Sequence, residues 1–393
     1  MTRNAWLAAL VPLVLLAALI TALVTLKPGD TLRPEGMPPV EKLRVERAVL
    51  GEDGIRLSVM NDGPDPVTIA QVTVDDAYWA FTADGGTTLR HLGRTTLLVP
   101  YPWVSGEAHL VKLLTSSGTA FEHEIAVAVE TPRVTGAHLL AFAMIGLYVG
   151  VLPVALGLCW FPVLARLGRT GLDAVLALTI GLLGFLLVDA AHEGFEGAAE
   201  LADSFQGVAM FVGAAGAAFL GLEVLGQWLR AARARRKEAE PSAGAVLALL
   251  IAIGIGLHNF GEGLAIGAAF ALGEAALGTL LIVGFTLHNT TEGLAILAPI
   301  AKERPSIPLL IRLGLIGGVP TIAGAWLGGF VYSQAIAVLC LGLGAGAIAQ
   351  VLYQLSKQIA GSRPVMERFA TVPVLSGLTA GFMVMYATGL LVG

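Results

Sequence analysis

Two hexapeptides carry most of the chemistry available to this chain. His258-Asn259-Phe260-Gly261-Glu262-Gly263 lies in the middle of one apolar stretch. His288-Asn289-Thr290-Thr291-Glu292-Gly293 follows thirty residues later, in the middle of another. In each, His and Glu are four apart and share one face of a helix. Ionisable groups at membrane depth are costly and usually mark a substrate or ion path. Two facing helices of this kind would offer His258, Glu262, His288 and Glu292, with the amide oxygens of Asn259 and Asn289, to one small volume. Imidazole plus oxygen ligands suit a divalent transition metal. A helix pair joined only by buried hydrogen bonds is the bland alternative, and the repetition of the pattern weighs against it.

The elements that must position these residues are membrane helices. Hydrophobic residues make up 55% of the 393 and charged residues 13%, against roughly 25% charged in soluble domains. The mean hydropathy is +0.77. Spanning a bilayer takes about 20 apolar residues, and nine stretches qualify: 5–26, 137–163, 171–192, 206–229, 244–272, 276–300, 308–332, 335–356 and 371–392. Cys159 and Cys340 lie in apolar runs without a CxxC partner and read as packing residues. A net charge of −5 does not suggest a nucleic-acid partner.

Lys and Arg near span ends set orientation. Outside the segment 27–135 they are Arg3, Arg166, Arg169, Arg230, Arg233, Arg235, Arg236, Lys237, Lys302, Arg304, Arg312, Lys357, Arg363 and Arg368. With the N-terminus in the cytoplasm and nine crossings, all of them fall on the cytoplasmic face. The C-terminus and the segment 27–135 are then outside, in a cytoplasmic (inner or plasma) membrane. Residues 1–26 read as an uncleaved transmembrane anchor and 27–40 as a Pro- and Gly-rich linker.

Residues 41–135 change pattern to short alternating runs: 43–50, 55–59, 67–74, 95–99, 109–114 and 122–129, with turns at 61–64 and 84–86. Six or seven strands in about 90 residues predict an extracytoplasmic immunoglobulin-like β-sandwich. His91, His109, His123, Glu122 and Glu124 could make it a metal collector. They lack ligand spacing, and on a strand His123 faces away from both Glu neighbours, so a solvated scaffold or docking module is the favoured reading.

Asp189, His192, Glu193 and Glu196 recur on one helix face at the outer end of 171–192 and read as a cation entrance. Glu223, Gln350 and Gln354, with Tyr353, could line an exit. Hydrogen bonding between helices accounts for them at least as well.

The paired motifs, the basic loop at 230–241 and the outward C-terminus resemble the ZIP (Zrt/Irt-like) family of divalent metal transporters, over about 137–393. The resemblance implies an eight-helix bundle over 136–393 with an inverted repeat, moving Zn²⁺, or Fe²⁺, Mn²⁺ or Cd²⁺, into the cytoplasm by alternating access. It implies a main site at His258, Glu262, His288 and Glu292. Asn259 and Asn289 would complete a second site, with the two carboxylates bridging. The metal is substrate; no cofactor is expected, and a second copy of the chain is a candidate partner beside the lipid bilayer. Three departures stand out. Gly261 and Thr291 occupy positions where the family commonly has Pro. Thr321 stands where many relatives place a Glu, so the second site lacks an anionic ligand. The loop 230–242 has no histidine.

The whole chain is thus expected to be a polytopic α-helical membrane protein, and a transporter rather than an enzyme. An intramembrane metal-dependent hydrolase is the competing class, since His258, His288 and a Glu leave a position for water. The motif is HNxxE, however, not the HExxH that carries a general base. A metal sensor working through the sandwich is the third.

Overall fold

In the computed structural model, residues 3–26, 38–236, 243–361 and 364–392 are described. Most of the linker and part of the basic loop (237–242) lie outside them.

Alternating apolar residues build nine strands: β1 (Leu43–Gly51), β2 (Gly54–Asn61), β3 (Val67–Val74), β4 (Ala77–Trp79), β5 (Thr82–Ala83), β6 (Thr88–Leu89), β7 (Arg94–Val99), β8 (His109–Thr115) and β9 (Ala120–Ile125). They pair antiparallel in two sheets, ordered β1-β2-β7-β5 and β4-β3-β8-β9, with β6 on β3. Leu57, Val59 and Leu97 of the first sheet share one apolar core with Val72, Val111 and Leu113 of the second. The last strand is shorter than the expected 122–129, ending at Ile125.

The remainder is helical. Helix α1 (Arg3–Leu26) precedes the strands. After them come α2 (Gly136–Gly146), α3 (Leu152–Leu158), α4 (Phe161–Leu164), α5 (Arg169–Ala199), α6 (Gly207–Arg236), α7 (Ala243–Ala271) and α8 (Ala275–Leu297). The chain then continues through α9 (Ile307–Gly318), α10 (Pro320–Val331), α11 (Gln334–Ala360), α12 (Val365–Phe369) and α13 (Val372–Val392). Among the described residues eight helical stretches are long and apolar enough to cross a membrane, from Gly136–Leu164 to Val372–Leu390. They mark an integral membrane protein. The expected ninth span is helical as α1, with no charged residue after Arg3. Cys159, expected to pack inside, is exposed.

Two spans are broken where proline removes a backbone donor. In the first, α2 and α3 are joined by a π-helical turn, Leu147–Val151. Pro153 has no N–H to offer the carbonyl of Val149 four residues back. In the sixth, α9 gives way to α10 at Pro320, which has no N–H to offer the carbonyl of Ile316 four residues back.

The helices sort into two packing groups. In one, α7 packs on α8, α9 and α10, with α2 on α10 and α3 on α8. In the other, α5 packs on α11 and α13, and α6 on α11. The main seam between the groups is α7 against α11.

Candidate metal centre

Helices α7 and α8 run unbroken through both motifs. Neither Gly261 nor Thr291 interrupts its helix. The glycine after each Glu serves close packing instead. A Cβ on Gly263 would lie 2.1 Å from the carbonyl oxygen of Thr321 in α10, and one on Gly293 2.2 Å from that of Val154 in α3. Each motif helix is therefore pressed backbone-to-backbone against one of the two broken spans.

Between α7 and α8 three ligand atoms converge. Nε2 of His288 is 2.5 Å from Oε1 of Glu262, and Nε2 of His258 is 3.1 Å from the same oxygen. One ligand atom from each of His258, Glu262 and His288 lies within 4.8 Å of the others. Glu262 is 5% exposed and His288 7%. Glu292 lies beyond this trio, although the sequence pairs it with them. It is 3% exposed; among the described residues its oxygens have no partner at normal hydrogen-bond geometry, although the Asn259 side chain approaches them.

The two asparagines are held alike. Asn289 donates its amide to the Val149 carbonyl that Pro153 frees (3.0 Å) and to Oε2 of Glu262 (2.9 Å). Asn259 donates to the carbonyl of Gly317 (3.2 Å), in the last turn of α9 before Pro320. Both side-chain carbonyl oxygens, Oδ1 of Asn259 and of Asn289, are buried without partners, as is Oγ1 of Thr321. Buried polar atoms are normally satisfied, so this set of orphaned oxygens is chemically suited to a cation.

A cavity of about 30 Å³ opens beside the trio, lined by His258, Glu262, His288, Phe285, Cys340 and Gly344 and, from α5, by Asp189 and Glu193. That exceeds the roughly 10–15 Å³ one water needs. Asp189 and Glu193 are exposed at its rim. Their neighbours on the same face are elsewhere: His192 and Glu196 are exposed and pair with each other at 3.3 Å. Composition gave no signal for Phe285, Cys340 or Gly344. Nothing in the sequence pointed directly to the carbonyls of Val149 and Gly317; Pro153 frees the first.

Glu223, Gln350 and Gln354 come together as a bridge between α6 and α11. Oε2 of Glu223 accepts from Gln350 at 3.3 Å and from Gln354 at 2.6 Å. Tyr353 is not part of that face; it is exposed, with the Lys357 ammonium 4.9 Å from its ring.

In the strand domain, Glu122, His123 and Glu124 alternate exposed, half-buried, exposed. Burial pushes the His123 imidazole pKa down. His109 pairs with Asp75 at 2.8 Å, and Nδ1 of His91 is 2.9 Å from the Gly63 carbonyl. Among the described residues no three of these groups meet as a metal cluster.

Compared with known proteins, the sequence matches no family model and no curated protein.

Proposed function

We propose that this protein carries a divalent transition metal, zinc first, through a cytoplasmic membrane into the cell by alternating access, in the manner of the ZIP family. The observation that carries this reading is the convergence of two imidazole nitrogens on one carboxylate oxygen of Glu262, in a cavity rimmed by Asp189 and Glu193. A rim of carboxylates concentrates cations. Neutral imidazoles and a carboxylate in a desolvated pocket then bind one as its water is shed.

His258, Glu262 and His288 form the main site in this reading. Glu292, with the partnerless oxygens of Asn259 and Asn289, forms a neighbouring one, weakened because Thr321 supplies a hydroxyl where an anion would help. Glu223, Gln350 and Gln354 hold α6 on α11. The basic loops support the proposed orientation. Lys302 reaches the Ala165 carbonyl (2.9 Å) and Arg368 pairs with Asp173 (2.5 Å), so these loops gather at one end of the bundle. The strand domain contacts the loops of the other end. Helix α1 serves as the anchor, and the strand order fits an immunoglobulin-like sandwich.

The test is radioactive zinc uptake into proteoliposomes, comparing the parent with His258→Ala plus Glu262→Ala, with manganese, iron and cadmium as competitors. Saturable uptake lost in the double variant supports the reading, and the competition order names the metal. Tight zinc binding without uptake of any metal would overturn it in favour of a catalytic or sensing metal, for which three ligands also suffice.

A further inference from the structure

The strand domain touches both helix groups, by different means. To the group carrying the motifs it is joined through the chain itself. The connection from β9 to α2 is tied down at Thr131, whose N–H donates to Leu50 (3.0 Å) and whose hydroxyl accepts from the Leu50 N–H (3.1 Å). Thr135 then caps α2 by accepting from the His138 N–H at 3.2 Å. Arg47 of β1 donates to the Phe330 carbonyl at the end of α10 (3.4 Å). Gly273, in the turn joining α7 to α8, sits at φ +83°, where a Cβ would come 2.8 Å from the Val127 carbonyl.

To the other group the attachment is ionic and confined to the turn between α5 and α6. The Asp62 side chain, 0% exposed, accepts from the Asp203 N–H (3.1 Å), from the Ser204 N–H (3.4 Å) and from the Ser204 hydroxyl (2.8 Å). Lys42 lies 3.1 Å from Asp62 and 2.6 Å from Asp203. Arg94 of β7 stands 5.9 Å from the ring centre of Phe205 in the same turn. Charge-assisted hydrogen bonds of this kind are the strong ones, and burial shields Asp62 from salt.

The cavity beside the metal trio lies at the seam between the two groups. Asp189, Glu193, Cys340 and Gly344 line it from one side, and His258, Glu262 and His288 from the other. Any separation of the groups at that end widens it.

We infer that the strand domain is a conformational latch. It ties the two helix groups together across the seam that holds the cavity, and the attachment of Asp62 and Lys42 to the Asp203–Ser204 turn is the part that releases. The latch rests on the transport reading only in treating the cavity as the metal path; the mechanical tie stands independently of what passes through. An attachment covalent on one side and ionic on the other has one breakable end. Opening of the cavity is therefore resisted by that end, in addition to the packing of α7 on α11.

Cys340 reports on this directly. It is buried, lines the cavity, and belongs to the group opposite the motifs. With the exposed thiol removed by Cys159→Ser, the rate at which a small polar maleimide alkylates Cys340 in lipid nanodiscs measures opening. Asp62→Asn should speed alkylation about tenfold or more, the size of effect lost charge-assisted bonds give. Asp203→Ala with Ser204→Ala, which removes the Ser204 hydroxyl bond and the Lys42–Asp203 pair but keeps both backbone donors to Asp62, should speed it by a smaller but measurable factor. Arg56→Ala, which breaks an exposed pair with Asp53 inside the strand domain, should leave it unchanged. The Asp203→Ala, Ser204→Ala variant keeps the strand domain's own residues and decides the matter should Asp62→Asn unfold that domain. Alkylation of that variant at the parent rate overturns the latch, and strong zinc uptake beside it leaves the transport reading intact. Faster alkylation in a protein that moves no metal would uphold the latch and defeat the transport reading.

Discussion

His288 and Glu262 meet at 2.5 Å, Nε2 to Oε1, although 26 residues separate them in the chain. His258, on the helix of Glu262 itself, approaches the same oxygen at 3.1 Å. One carboxylate oxygen is thus the hub of the site. Glu262→Gln should therefore abolish tight zinc binding by isothermal titration. His288→Ala should weaken it by more than the ~10–100-fold typical of losing a ligand's supporting partner. Equal affinities in parent and Glu262→Gln would place the metal elsewhere.

Asn289 fixes the second oxygen of Glu262 while anchored to a carbonyl that Pro153 leaves free. Asn289→Ala should cost about 10–100-fold in zinc affinity at the main site. Pro153→Ala restores a competing N–H four residues after Val149 and should lower affinity in the same direction. Wild-type affinity in both variants would reduce Asn289 to a packing role.

Glu292 is buried with no partner at normal hydrogen-bond geometry on either oxygen. Exchanging the poorly paired buried carboxylate for a neutral amide of the same shape should relieve part of its desolvation cost, roughly 1–3 kcal/mol. Glu292→Gln is expected to melt at a higher temperature than the parent in chelator, and to gain less from added zinc. A lower melting temperature in chelator would mean that Glu292 is paired in the protein.

Gly293 lets α8 touch α3. Gly293→Ala must push these backbones apart, at the roughly 1–3 kcal/mol of an overpacked core. A lower melting temperature and weaker zinc binding should appear together, because α3 follows the π turn that anchors Asn289. Gly136→Ala, with open space around it, is the control.

The latch has a pH window. Burial by itself would raise the Asp62 pKa. Hydrogen bonds from the Ser204 hydroxyl, from Lys42 and from the Asp203 and Ser204 N–H groups outweigh it and hold Asp62 below the usual carboxylate range. A depressed acid contributes stability above its unfolded value, 3.8, and loses it as pH falls through the folded one. The Lys42 ammonium, raised above 10.5 chiefly by its bond to Asp203, contributes below that value and loses its effect as pH climbs past the folded one. The latch should hold from about pH 4 to 10. Spin labels at Glu52 and Val208 in a protein without native cysteines should give one distance distribution at pH 5 and 8, broadening below pH 4. Broadening between pH 8 and 5 would contradict the assignment to Asp62.

Much of this was legible in the residues. Apolar length gave the eight spans to within a few residues, because a bilayer rejects unpaired backbone and leaves the helix as the economical way across. The four-residue spacing put His258 and Glu262 on one face, and Asp189 with Glu193 on another. Period-two alternation located the principal strands. The helical face that held Asp189 and Glu193 also promised His192 and Glu196, which point away from the cavity. That difference comes from where the neighbouring helices pack along α5, which no single-helix periodicity encodes. Tyr353 was grouped with Gln350 and Gln354, yet one residue's offset turns it outward.

The sequence by itself determined which groups are buried in the bilayer: two histidines, two carboxylates and two carboxamides, too costly to sit there idle. Where helices break it did not show, for Pro12 lies inside the unbroken α1 while Pro153 and Pro320 stand at breaks. Only the tertiary structure decided that the trio closes on Glu262 with Glu292 set apart. Only it decided that the carbonyls of Val149 and Gly317 hold the asparagines, that Cys340 lines the cavity, and that Asp62 reaches the turn between α5 and α6. Helical spacing is a local property of the backbone, whereas these meetings depend on how helices from distant parts of the chain are tilted and pressed together.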